Sequence, residues 1–124
     1  MSARVSDTAA MIAAMAPRRV AGAWVFATVE APPPEAVATI REPEGLSVVV
    51  PGEGSDPLAM AWITLDVHSA LDAVGFIAHL ASALAREGMG VNPVAGFYHD
   101  HLFVPEDRAE DALRVLRRIA ATPV

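Results

Sequence analysis

Apolar positions recur along this chain with two different periods. Residues 23–29, Ala-Trp-Val-Phe-Ala-Thr-Val, form a β-branched and aromatic run that suits a buried strand. Ala31-Pro32-Pro33-Pro34 ends it, because prolines cannot donate to a ladder. Val37–Arg41 alternates, with Val37 and Thr39 on one face and Ala38 and Ile40 on the other. Glu44-Gly45 reads as a tight turn into a strand over Leu46–Val50. Pro51–Pro57, rich in Gly, Pro, Ser and Asp, predicts a loop and the main internal boundary. Ala61–Val67 alternates again: Trp62, Thr64 and Asp66 point one way, Ile63, Leu65 and Val67 the other.

The period then lengthens. Ala73, Phe76, Ile77, Leu80, Ala81 and Leu84 form one apolar stripe at helical spacing. Ser69 with Asp72 three residues on predicts a capping box at the start of that helix, and Gly88 predicts its end. Val91–Tyr98 and Leu102–Val104 read as strands joined by a turn near His99–Asp100, with Asp100 bonding local backbone. The last helix is expected from Pro105 or Glu106, with Ala109, Ala112, Leu113, Leu116 and Ile119 facing the core. Its acidic residues come first and Arg114, Arg117 and Arg118 last, which complements the helix dipole. At the N-terminus, Ser6 as N-cap, Asp7 in the first turn and Pro17 as a stop describe a short helix. That reading fits better than a signal peptide, whose apolar stretch would be longer. No run of about 18 apolar residues crosses a membrane, so the chain is expected to be cytoplasmic.

Strand, helix, strand, strand, helix in the second half is one strand short of the ferredoxin-like βαββαβ pattern. The missing edge strand is expected from the first half. Ala23-Trp24-Val25 and Ala61-Trp62-Ile63 both open strands, and each has a Val five residues after its Trp. This echo suggests a duplication. The expected architecture is α+β: two ferredoxin-like halves in tandem, 1–57 and 58–124, in one unit. The sheet should be mainly antiparallel with helices packed on it.

Composition narrows the chemistry. The 124 residues include no Cys, which removes disulfides, thiolate nucleophiles and zinc knuckles. All nine basic residues are Arg, which removes P-loop and Schiff-base lysines. A net charge of −6 would repel a phosphate backbone, so no nucleic-acid partner is expected.

Two segments carry a family resemblance. Ile63-Thr64-Leu65-Asp66-Val67-His68-Ser69-Ala70-Leu71-Asp72-Ala73-Val74-Gly75-Phe76 resembles the first strand, loop and helix start of an ACT domain. So does Ala83-Leu84-Ala85-Arg86-Glu87-Gly88-Met89-Gly90-Val91-Asn92. Tyr98-His99-Asp100-His101-Leu102-Phe103-Val104-Pro105 is similar to a small group of bacterial proteins with tandem ACT-like halves. Those in turn resemble the ACT modules of aspartate kinase and of arginine-sensing regulators. The resemblance implies a non-catalytic regulatory module that binds an amino acid or similar metabolite, usually at an interface between two ACT units. It maps the ligand loop onto His68, Ser69, Leu71, Asp72, Ala73, Val74 and Gly75, with Asn92 on the neighbouring strand. No cofactor is implied.

Elementary chemistry agrees with that mapping. A helix N-terminus offers unpaired N–H groups to an α-carboxylate. Asp72 would pair with an α-ammonium, and Gly75 would let a ligand approach closely. Asn92, the only Asn, offers a donor and an acceptor. Unpaired sheet edges predict a homodimer. Two other readings stand beside this one. The chain is an interaction subunit with a degenerate pocket, or a small metal-dependent enzyme using His99 and His101. The metal reading lacks a third ligand beyond His68.

Overall fold

The structure, a computed structural model, describes residues 7–122. The chain runs through a short helix α1 (Thr8–Ala14), strands β1 (Pro17–Val29), β2 (Ala38–Glu42), β3 (Gly45–Gly52) and β4 (Met60–Leu65), and helix α2 (Phe76–Arg86). Strands β5 (Asn92–Ala95) and β6 (Asp100–Pro105) follow, then a 3₁₀ turn (Glu106–Arg108) leading into α3 (Ala109–Ala121). The six strands form one sheet in the order β2-β3-β1-β4-β6-β5, antiparallel at every pairing.

The expected edge strand is β1. It lies antiparallel to β4 on one side and to β3 on the other, so it completes β4-α2-β5-β6-α3 as the ferredoxin-like fourth strand. It is longer than its apolar run. Arg18, Arg19 and Val20 pair with Thr64, Ile63 and Trp62, and the register shifts between Val20 and Trp24. Gly22, at φ +101°, supplies the positive φ of that bulge. Cationic side chains masked this stretch: Arg18 bonds Asp66 at 3.0 Å and Arg19 bonds Glu106 at 3.2 Å.

Alternation along the strands gives the sheet two unlike faces. Ala61, Ile63, Leu65, Leu102 and Val104 pack under the helices with Met11, Met15, Phe76, Leu80, Leu84, Leu113 and Leu116. On the opposite face, Trp62 packs edge-on against Trp24 and stacks with Phe103, and Phe103 meets Phe26 edge-on. Phe103 is only 2% exposed there, held against Trp62 and Phe26. The sheet curls enough that Val94 of β5 shares an apolar crevice with Phe26, β2 and β3, although β2 and β5 are opposite edges of the strand order. The two matched Trp residues thus join in one aromatic cluster.

Several boundaries differ from the sequence reading. The N-cap of α1 is Asp7, whose carboxylate accepts from the Ala10 N–H at 2.8 Å; Ser6 lies outside the described residues. Asp serves that role as well as Ser. Pro17 opens β1 instead of ending a helix, and β3 runs on through Pro51 and Gly52. Helix α2 ends as expected. Gly88, at φ +76°, bonds Ala85 O while Met89 N–H reaches Leu84 O, a paired motif that satisfies the last carbonyls.

Candidate ligand-binding site

The largest departure lies where the ligand loop was expected. Helix α2 begins at Phe76, not near Ser69, and its N-cap is Gly75 at φ +88° with no capping side chain. Residues 66–75 form a loop between β4 and α2. Ser69 and Asp72 therefore form no capping box, and Asp72 lies outside the first helical turn. The Ser69 hydroxyl instead donates to Asp100 Oδ2 at 2.8 Å, and both residues are buried. A partner 31 residues away satisfied the hydroxyl that a local cap would have used.

Asp100 is also not at the hairpin tip. Gly96 N–H bonds His99 O at 2.8 Å, so the turn spans Gly96 to His99 and Asp100 opens β6. A backbone turn partner for Asp100 gives way to Ser69. His99 and His101 do not flank a turn Asp either. His99 Nδ1 lies 3.1 Å from Leu65 O, which can only accept, so Nδ1 carries the proton. His101 sits inside β6, where its Nδ1 accepts from Trp62 Nε1 at 3.0 Å, with Thr64 Oγ1 at 3.2 Å. Burial lowers the pKa of His101, and His99 and Arg18 lower it further, while Asp100 opposes them. Among the described residues, no three His, Asp or Glu side chains converge as a metal would need.

The two loops meet at the end of the sheet. The His68 ring lies 5.4 Å from Tyr98 and 4.9 Å from His99. Between the β4–α2 loop, the start of α2 and strands β5 and β6 is a cavity of about 210 Å³, bounded by Leu71, Ala73, Gly75, the first turn of α2, Ala95 and Asp100. Leu71, Ala73 and Gly75 of the expected set stand on its wall. Asp72 and Val74 are exposed and off it, and the Val74 carbonyl accepts from the Thr8 hydroxyl. Asn92 is on the far face of the sheet, opposite Phe103, with its amide 3.7 Å from Met60 Sδ. A strand's alternation sends Asn92 away from the helices and hence from the cavity. Asp100, the carboxylate that does line the cavity, carried only a turn signal in the sequence.

Family comparison decides the identity of this architecture. Models of the ACT domain match residues 59–118 and, separately, residues 5–62. The chain belongs to the ACT-domain family. ACT domains are generally regulatory modules that bind small molecules and are not generally catalytic. A Vibrio cholerae protein of unknown function, described as a possible transport protein, is 39% identical, with a TM-score of 0.75 over 89% of this chain and 93% of that one. The Agrobacterium tumefaciens protein Atu0741 shares the fold at 22% identity and a TM-score of 0.64, over 84% of this chain and 87% of that one. No curated protein matches the chain. Among the described residues of this ACT protein, no helix is long and apolar enough to cross a membrane.

Proposed function

We propose that this ACT protein is a cytoplasmic, non-catalytic regulatory module that binds a free amino acid between the β4–α2 loop and the start of α2. One observation carries the reading: a cavity of about 210 Å³ joins an N-terminus of α2 that no side chain caps to the buried carboxylate of Asp100. The free N–H groups of the first turn suit an α-carboxylate, and Asp100 suits an α-ammonium. Pockets for drug-sized ligands run to roughly 300–1,000 Å³, so this cavity favours a smaller metabolite. His68 and Ser69 would hold the loop against β6 instead of touching the ligand. Tandem halves divided near residues 57 and 58 fit the internal echo.

Exposed Leu71 lines the cavity, and exposed Val74, Phe97 and Tyr98 lie beside it on the β4–α2 loop and the β5–β6 turn. Apolar side chains gathered around a site's mouth favour a homodimer that closes it.

The test is calorimetry with each of the twenty amino acids. Saturable heat from at least one, weakened tenfold or more in Asp100→Asn but much less in Asp72→Ala, supports the reading. No heat at millimolar concentrations of any amino acid would sink it.

A further inference from the structure

A second cleft, independent of the proposed amino-acid site, opens between α2 and α3. Its volume is about 310 Å³, and its polar lining is His79, Arg86, Glu87, Arg118 and Thr122. We infer that it binds the phosphate group of a small anionic metabolite.

Charge is the first argument. The protein carries a net charge of −6, and Arg18, Arg19, Arg108 and Arg114 each pair with a carboxylate. Arg86 and Arg118 make no ion pair among the described residues. Glu87 lines the same cleft and pairs with neither. Two guanidiniums against the single carboxylate of Glu87 leave this concavity of an acidic protein with an excess positive charge that attracts an anion.

Position is the second. Arg86 and Arg118 stand in the last turns of their helices, where a cation complements the dipole. That explains why each is basic but not why both line one cleft. His79 lies at the start of α2, at the other end of that helix from Arg86, so the dipole does not account for its place in the same cleft. Three residues with N–H-bearing side chains, on two helices, thus line one space.

Geometry selects the anion. One guanidinium fork satisfies the two oxygens of a carboxylate. Two forks and an imidazole suit the several oxygens of a tetrahedral phosphate, and the cleft leaves room for the rest of a metabolite.

Pyrophosphate, inorganic phosphate and citrate, each at fixed ionic strength, would be titrated against the full chain by calorimetry. Pyrophosphate should bind saturably and more tightly than citrate. Arg86→Gln with Arg118→Gln should weaken it at least tenfold, and His79→Gln a few-fold. Arg117→Gln, which faces a different groove, should leave it unchanged. Equal weakening in Arg117→Gln would mean diffuse charge attraction and overturn the proposal, as would tighter citrate binding or no saturable binding. Circular dichroism of each variant separates a lost site from a lost fold. Amino-acid binding retained in the double variant keeps this result distinct from the cavity at the start of α2.

Discussion

Trp62 Nε1 donates to His101 Nδ1 across the β4–β6 ladder at 3.0 Å, 39 residues apart in sequence. An indole N–H has no acceptor role, so His101 Nδ1 must present its lone pair, and any ring proton on a neutral His101 sits on Nε2. Protonation at Nδ1 would break that bond inside an aromatic cluster. Burial and His99 therefore act with the hydrogen bond to hold the pKa of His101 below its ordinary value.

The sign of the pH dependence follows. A His with a folded-state pKa below its unfolded value adds stability that is fully present above about pH 6.5 and is lost as pH falls toward and through the folded value. Denaturant melts across this range should show the native protein weakening on acidification. His101→Gln does not titrate, and its amide oxygen still accepts the Trp62 N–H, so it should flatten that part of the slope. An unchanged slope would show that His101 does not govern it.

Ser69→Ala should cost about 1–3 kcal/mol, because it leaves buried Asp100 short of a hydrogen bond. Asp100→Asn should cost less than Asp100→Ala, since an amide oxygen can still accept from Ser69. Urea unfolding of the three variants gives the order. A neutral Ser69→Ala would mean that the contact does not tie the β4–α2 loop to β6.

Phe103→Ala should cost about 3–5 kcal/mol, the usual penalty for emptying a buried aromatic site. Phe26→Ala should cost clearly less, because Phe26 is nearly half exposed at the edge of the same cluster. Equal losses would contradict the curled-sheet packing.

The Trp24 indole N–H is buried without a partner among the described residues. Trp24→Phe removes that orphan donor along with some packing, and should cost less than about 1 kcal/mol. Trp62→Phe deletes a donor that His101 uses and should cost more. Thermal unfolding of the two variants side by side checks the order.

Gly96→Ala places a Cβ 2.9 Å from His99 O and 3.3 Å from His101 Nε2. The first clash is with backbone and cannot be relieved by rotating a side chain, so the hairpin must shift. We expect destabilisation of at least about 1 kcal/mol in chemical melts. A neutral result would contradict the Gly96–His99 turn.

Much of the fold was legible locally. Alternation in residues 61–65 placed Trp62 and Thr64 opposite Ile63 and Leu65, and the stripe Phe76, Leu80, Leu84 placed α2 against the sheet. Gly88 marked the end of that helix, since a positive-φ terminus favours Gly. The absence of Cys and Lys excluded whole chemistries on composition alone. These features depend on short-range periods and backbone conformation, which neighbouring residues set.

Tertiary structure decided the rest. Nothing within a few residues of Arg18 says that it belongs to a strand; its ladder partner Thr64 does. Nothing near Ser69 separates a local cap from a bond to Asp100, because one hydroxyl suits either, and the loop's path across β6 selects the distant one. Asn92 and the loop are close in the ACT pattern, yet strand alternation turns Asn92 to the far face of the sheet. The carboxylate on the cavity wall is Asp100, which gains that place only when β6 pairs beside β4. Local order is written in neighbours; which polar groups meet across the sheet is settled only when the whole chain closes and every buried donor must find an acceptor.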